Sequence, residues 1–217
     1  FEKNWSRYGS AITSYASTGT VVDFEIYNSE FYGNLAGNTS GFNGLSGSSL
    51  ALFANDGELN VTIVNNTFAY NKDFGINSPN DKGTIVLRRL NNNTNNVLNA
   101  DIHNNIFFEN ESANGTVNPN AIGLINRPNN LIDVINFTHN NSAQSNFASI
   151  SSAGTVSNNI NQNPAFLGGP AGDFRLAPGS PMIDAGDNTQ LPVGITEDIA
   201  GNPRIDNGTV DLGANEN

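Results

Sequence analysis

The sequence predicts an all-β protein, a parallel β-helix of about four to five turns with a C-terminal cap. Aliphatic residues alternate in three similar stretches, residues 22–34, 59–71 and 98–110. Each stretch continues into an asparagine and then into a Phe-x-x-Asn motif. After residue 163 the pattern ends and proline and glycine become frequent. This change in composition and periodicity predicts β-helix turns over residues 1–163 and a cap of the same domain over residues 164–217.

The Phe-x-x-Asn motif recurs at uneven intervals, starting at Phe1, Phe31, Phe68, Phe107 and Phe137. A constant set of three short strands with return loops of variable length explains the spread, because loops lengthen at little entropic cost. The first strand of each unit is predicted at residues 11–15, 49–53, 84–87 and 121–125. In the fourth unit, residues 131–140 fit the pattern in two ways, with Asn136 aligned to Asn104 or with Phe137 aligned to Phe107.

Composition excludes several classes of function. The formal net charge is −11, which disfavours nucleic acid and anionic lipid as partners. No apolar run approaches the roughly 20 residues that a membrane-spanning helix needs, so membrane insertion is not expected. The chain has no cysteine, which rules out disulfides and thiolate sites. The 40 asparagines make disorder the alternative to a folded chain, but the periodic aliphatic and phenylalanine positions favour a folded repeat.

The C-terminal segment, residues 164–217, is predicted to cover the end of the β-helix, since an open end exposes a strand edge and an apolar cross-section. It is also acidic. Carboxylate oxygens near turns suit Ca²⁺, the one cofactor that the sequence suggests. The alternative is that these carboxylates cap turns or are solvated. The candidate ligands are Asp184, Asp187, Asp198 and Asp211.

The repeats, with the small-residue start Gly9-Ser10-Ala11-Ile12, resemble right-handed parallel β-helix surface proteins of the pectate-lyase-like superfamily. More specific is the resemblance of the C-terminal segment to bacterial "choice-of-anchor Q" proteins. It rests on residues 163–166 (NPAF), 172–176 (GDFRL), 179–187 (GSPMIDAGD), 198–204 (DIAGNPR) and 210–214 (VDLGA). The resemblance implies a right-handed solenoid and a secreted or cell-surface protein. It implies less about activity, because this fold hosts many functions.

Polar residues occupy the outward positions of the second strands. They are Asp23, Glu25, Asn60, Thr62, Asn99 and Asp101, with His103 beside them. Such a stripe could hydrogen-bond the hydroxyl groups of a carbohydrate, and the alternative is the solvated face of an alternating strand. A glycosidase would need two carboxylates about 5–10 Å apart, and no catalytic motif is recognisable. The sequence leaves enzymatic activity open and favours a non-catalytic role.

Two further rows of residues are predicted to be structural. Asn28, Asn65 and Asn104 are expected to form a ladder at a tight turn, each side chain bonding to its neighbours. Phe31, Phe68 and Phe107 are expected to stack in the core, the alternative being a platform for sugars. Ten Asn-x-Ser/Thr sequons occur, and Asn38, Asn92 and Asn114 are the candidate glycosylation sites because they are predicted to lie in loops.

The leading hypothesis is an extracellular or cell-surface structural or adhesive module. The alternative is the C-terminal part of a polysaccharide lyase or glycoside hydrolase whose catalytic turns lie upstream. Phe1 begins inside a repeat, so the first turn lacks a cap of its own. Either upstream turns precede it or another molecule covers that end, and copies could then stack head to tail into filaments. The partners expected are therefore polysaccharide or the protein itself.

Overall fold

A computed structural model describes residues 1–6, 11–37, 46–73, 82–90, 96–112, 122–125, 133–143 and 154–217. It is an all-β structure, 50% strand and 4% helical. The strands are β1 (Trp5–Ser6), β2 (Ile12–Ala16), β3 (Val21–Tyr27), β4 (Glu30–Tyr32), β5 (Leu35–Ala36), β6 (Ser46–Ala54), β7 (Glu58–Val64), β8 (Thr67–Ala69), β9 (Lys72–Asp73), β10 (Lys82–Arg89), β11 (Val97–His103), β12 (Ile106–Phe108), β13 (Glu111–Ser112), β14 (Ile122–Ile125), β15 (Val134–Thr138), β16 (Val156–Ser157), β17 (Phe166–Gly168) and β18 (Asp173–Leu176). Two short 3₁₀ helices cover Gly169–Ala171 and Asn188–Gln190.

Strands of successive repeat units stack in parallel sheets. The sheet orders are β1-β5-β9-β13, β2-β6-β10-β14, β3-β7-β11-β15-β16 and β4-β8-β12. Within the first three units each strand pairs with the strand four elements later, which is compatible with a β-helix. The prediction of three strands per unit is wrong. A fourth strand of two residues lies in each return connection that the structure describes, as β1, β5, β9 and β13 show.

The register of the second strands confirms the alignment made from the sequence. Val22 lies opposite Leu59, and Leu59 lies opposite Leu98. The fourth unit follows neither predicted alignment, because Asn136 pairs with Asp101 and Phe137 pairs with Ile102. The strand carrying Phe137 therefore belongs to the sheet β3-β7-β11-β15-β16, and its motif is not equivalent to the earlier Phe-x-x-Asn motifs.

The core lies between the sheets and consists of aliphatic residues flanked by a column of phenylalanines. Leu59, Ile63 and Leu98 are fully or almost fully buried. The ring centroids of Phe31 and Phe68 lie 4.7 Å apart, and those of Phe68 and Phe107 lie 4.9 Å apart, both pairs stacked. The column ends on rings at Phe1, 4.8 Å from Phe31, and at Phe137, 5.9 Å from Phe107. The rings of Phe31, Phe68 and Phe107 pack inside the core, so they are not a platform for sugars, whereas Phe1 at the end of the column is exposed.

Asparagines, most of them buried, form two ladders at the corners between strands. One contains Asn66, Asn105, Asn140 and the half-buried Asn159, and the other contains the exposed Asn4 followed by Asn34, Asn71 and Asn110. From the second rung of each ladder onward, each side chain accepts from the amide of the previous rung and donates to a backbone carbonyl, as Asn105 does to Ile63 over 2.9 Å. The ladders therefore satisfy backbone groups at buried corners, where an unpaired group would cost about 1–3 kcal/mol.

The residue before each buried ladder asparagine turns the chain. Asn65 and Asn104 precede the ladder residues Asn66 and Asn105, and Asn28 precedes Ser29 at the equivalent corner. Their φ values of 46° (Asn28), 56° (Asn65) and 57° (Asn104) lie in the left-handed region, which asparagine tolerates better than most residues. The structure places these three in a row, but not in the mutual ladder predicted from the sequence. Their amides instead donate to the C-terminal segment, to the carbonyls of Glu197, Asp211 and Asp187. A left-handed residue at this corner directs its side chain out of the stack, which explains the difference.

The C-terminal segment packs along the side of the stacked strands. Its antiparallel pair β17–β18 places Phe174 against Tyr32, with ring centroids 5.4 Å apart. Near its end, the backbone N–H of Ala214 donates to Oγ1 of Thr67 and the amide of Asn215 donates to Glu30. With the bonds of Asn104 to Asp187, the segment thus contacts the first, second and third units along the side of the stack, whereas the sequence predicted contacts at the end of the stack. It covers the left-handed corners and the outward rings of Tyr32, Tyr70 and Phe108.

The segment is held together by a buried arginine. Arg204 is 1% exposed and donates to the carbonyls of Asp211, Gly213 and Ala214. It also lies 3.2 Å from the carboxylate of Glu216, which is itself buried.

Among the described residues no helix has the length and apolar character to cross a membrane.

Candidate functional site

The predicted polar stripe lies on the outward face of the sheet β3-β7-β11-β15-β16. Its first row is a chain of hydrogen bonds along Asp23, Asn60 and Asn99, which are aligned in register. Asn99 donates to Oδ1 of Asn60 over 2.9 Å, and Asn60 donates to Oδ1 of Asp23 over 3.0 Å. These side chains satisfy one another, so this row is less available to a ligand.

The second row is formed by Glu25, Thr62, Asp101 and Asn136. Asn136 donates to Oδ1 of Asp101 over 2.7 Å, which fixes the direction of that carboxylate. The side chain of Asp101 is 55% exposed. It can therefore accept further hydrogen bonds from a bound molecule.

His103 lies in the third row, between Val64 and Thr138. Its ring is nearly buried, and Nδ1 lies 2.8 Å from Oγ1 of Thr138. Burial lowers the pKa of the imidazole, against the opposing effect of Asp101. His103 is therefore neutral at pH 7 and can offer one donor nitrogen and one acceptor nitrogen. The sequence predicted a surface residue here, and the structure places it at the floor of a depression.

A cleft of about 440 Å³ forms where the C-terminal segment passes over this sheet. The sheet contributes Thr62, Val64, Asp101, His103, Asn136, Thr138 and Thr155, and the segment contributes Thr189, Gln190 and Pro192. Asn104 holds this wall in place, since it donates to the carbonyl of Asp187 over 3.1 Å and accepts from its N–H over 2.9 Å. The volume is within the range of about 300–1,000 Å³ typical of small-molecule sites.

Three of the predicted carbohydrate-binding residues line this cleft, namely Thr62, Asp101 and His103. Asp23, Glu25, Asn60 and Asn99 lie on the same sheet but are not among the lining residues. The sequence missed the contribution of the C-terminal segment, because nothing local signals which distant strand it packs against. It also missed Asn136 and Thr138, because both predicted alignments of the fourth unit were out of register.

The four candidate Ca²⁺ ligands do not form a cluster. Within the described part of the chain, no group of three or more acidic or histidine side chains could hold a metal ion. Instead, Asp198 accepts from the N–H groups of Ala200 and Asn202, and Asp187 accepts from that of Thr189. The contacts to the second residue along the chain, Ala200 and Thr189, match the Asx-turn alternative. Asp211 accepts from the N–H of Asp184, which is distant in the sequence. Asp184 is exposed and lies next to Asp211 through its backbone only.

The candidate glycosylation sites Asn38, Asn92 and Asn114 lie outside the described residues. Among the other sequons, Asn65, Asn110 and Asn140 are buried. Asn207 is exposed at a left-handed turn between Asp206 and Thr209, which form an isolated bridge. Of these four, Asn207 is the sequon with an accessible side chain.

Comparisons with models of protein families, with curated proteins and with solved structures find no match for this chain. The functional assignment therefore rests on the geometry of the cleft and on the motifs in the sequence.

Proposed function

We propose that this protein is an extracellular or cell-surface, non-catalytic structural or adhesive module that binds carbohydrate in the cleft. The observation behind this proposal is the lining itself, in which the hydroxyl groups of Thr62, Thr138 and Thr189 surround an exposed carboxylate and a neutral imidazole. A saccharide presents hydroxyl groups that both donate and accept, and such a lining complements them. The carrier fold proposed is a right-handed parallel β-helix of about four to five turns, related to the pectate-lyase-like superfamily.

The regular spacing of the stacked strands supports the binding of extended, linear saccharides. Equivalent positions of adjacent rungs lie about 4.8 Å apart, comparable to the length of one pyranose ring. Thr62, Asp101 and Asn136 present polar groups at this spacing along one line. A linear saccharide running along the sheet could therefore meet a similar group at each unit.

Binding to a panel of immobilised polysaccharides tests the proposal. We expect wild-type protein to be retained, and Thr62→Val together with Thr189→Val to reduce the affinity at least about tenfold by removing two hydroxyls. Thr18→Val is the matched control, because Thr18 lies in an exposed turn away from the cleft. No retention on any polysaccharide, or equal loss in the control, would contradict carbohydrate binding.

The alternative, part of a polysaccharide lyase or hydrolase, is tested on the same panel. Release of unsaturated products or of reducing ends by the purified chain would replace the non-catalytic assignment with the enzymatic one. Asp101 is the carboxylate among the described lining residues. If release were seen, Asp101→Asn would show whether this carboxylate takes part.

We also propose that the first strands form a self-assembly surface. Strands β1 to β4 each lie at the end of their sheet in the described part of the chain. Four apolar side chains near this edge are exposed, Phe1, Trp5, Tyr15 and Val21. The outer strand of a sheet is where further strands can add. Negative-stain electron microscopy at several concentrations should show end-to-end filaments, and single short particles at every concentration would contradict self-assembly.

A further inference from the structure

We infer that the cleft selects neutral saccharides and rejects polyuronates, an inference that rests on the proposed carbohydrate function and assigns its ligand class. The selection follows from where negative charge lies in and around the cleft.

The first contribution is the carboxylate of Asp101 in the sheet wall. Its side chain is half-exposed, and its Oδ1 already accepts from Asn136. A second carboxylate, that of Asp187, lies outside the lining, where it accepts from the lining residue Thr189 over 2.7 Å and is 3.8 Å from Nδ1 of His139. Hydrogen bonds from Thr189 lower the pKa of Asp187, so it is ionised at neutral pH. A uronate bound in the cleft would bring its negative charge to a lining that already holds Asp101 and borders on Asp187.

The cost of that charge is substantial in a cleft. Two like charges in close contact repel several times more strongly at the effective dielectric of a protein surface than in bulk water. No lysine or arginine stands among the described lining residues to offset this repulsion. The net charge of −11 adds a long-range repulsion that slows the approach of a polyanion.

The second contribution to this selection is the space beside His103 and Asp101, which suits a hydroxyl group. Nε2 of His103 lies 3.9 Å from Oδ1 of Asp101, too far for a direct hydrogen bond. When Thr138 donates to Nδ1, the Nε2–H faces this gap. One hydroxyl could then accept from His103 and donate to Asp101, as bridging waters do across such distances. A carboxylate in the same place could accept from His103 but could not donate to Asp101.

Calorimetric titrations with matched ligands test the selection. The probes are oligosaccharides of neutral β-glucan, mannan and galactan on one side and of polygalacturonate on the other, all in EDTA. We expect at least one neutral series to bind at least about tenfold more tightly than the uronate series. Equal or tighter binding of polygalacturonate would overturn the selection while leaving carbohydrate binding intact. If no series binds, the proposed carbohydrate-binding function itself is contradicted.

A gain of function provides the sharper test. Gln190→Lys adds a cation to the cleft wall, and we expect it to raise the affinity for polygalacturonate at least about fivefold in a manner that weakens with salt. Gln162→Lys is the matched control, because Gln162 is exposed and lies outside the cleft lining. The same gain in both variants, or no gain in Gln190→Lys, would show that local charge does not govern selection and would overturn the inference.

Discussion

Asn66 and Asn105 are joined by two hydrogen bonds to a single oxygen. The side-chain amide of Asn66 donates to Oδ1 of Asn105 over 3.1 Å, and the backbone N–H of Asn66 donates to the same oxygen over 2.8 Å. Asn105 repeats this relationship with Asn140. Each rung thus depends on the rung that follows, and the ladder ties successive units together at a buried corner.

Removing one rung should therefore be costly. We expect Asn105→Ala to lower the free energy of unfolding by about 2–4 kcal/mol, since it leaves the N–H of Asn66 and the carbonyl of Ile63 without their partner. Urea unfolding followed by circular dichroism measures the change. Asn99→Ala is the control, because the hydrogen bond from its side chain to Asn60 lies in the half-buried stripe, and it should cost about 0.5 kcal/mol or less. Similar costs for the two variants would contradict the structural role of the ladder.

The stacked phenylalanines are predicted to contribute strongly to the stability of the fold. Phe68 is fully buried between Phe31 and Phe107. We expect Phe68→Ala to destabilise the protein by about 3–5 kcal/mol, through lost burial and the cavity left in the stack. Leu167→Ala is the control, because Leu167 is 55% exposed and should change stability by about 0.5 kcal/mol or less. A tolerated Phe68→Ala would mean that the column is not part of the core.

Much of this core could be predicted from the sequence, because the spacing of repeated motifs shows which residues stack on one another. The alignment of Val22 with Leu59 needed only that spacing. The corner asparagines were harder. Asn65 and Asn66 are adjacent and chemically identical, and only the left-handed φ of Asn65 decides which of them enters the ladder. A difference in backbone conformation between two equal residues leaves no mark in composition or periodicity.

The cleft could be predicted only in part. Thr62, Asp101 and His103 follow from strand alternation, since outward positions are known once the strand is known. The opposite wall comes from Thr189 and Gln190, more than 80 residues along the chain from His103. Its placement depends on Asn104, whose side chain was assigned to a ladder from the sequence alone. Long-range packing of an irregular segment has no periodic signal.

The buried pair of Arg204 and Glu216 predicts that the stability of the fold depends on pH. Burial raises the pKa of Glu216 to about 7, against the opposing effect of Arg204. The folded state therefore holds this proton more tightly than the unfolded state. Its contribution to stability is fully present below the unfolded pKa of 4.5 and is lost as the pH rises through about 7.

Thermal unfolding of the wild type and of Glu216→Gln at about pH 5 and at about pH 8 measures this contribution. We expect the wild type to lose about 1–3 kcal/mol more stability than the variant over this range, because glutamine does not titrate. The comparison cancels the contributions of other groups, including Asp133, whose pKa burial raises to about 6. Parallel pH profiles for the two proteins would contradict the assignment to Glu216.

His103 should titrate at an unusually low pH. Because burial disfavours its charged form, we expect the folded-state midpoint to lie below 6.5, and stability from the neutral ring to be lost as the pH falls through that midpoint. Nuclear magnetic resonance of the imidazole signals gives the midpoint directly. The chain has two histidines, so His139→Gln assigns the signals, and the urea-unfolded protein supplies the reference. A midpoint at or above 6.5 would place His103 in solvent rather than at the floor of the cleft.

Carbohydrate is proposed to bind between the sheet and the C-terminal segment. The most direct measurement is a backbone amide spectrum of the labelled protein during titration with the neutral oligosaccharide series. Binding in the cleft predicts saturable shifts that converge on Thr62 and His103 from the sheet and on Thr189 from the segment, with Thr18 unchanged. Shifts confined to another surface, or none that saturate, would contradict it.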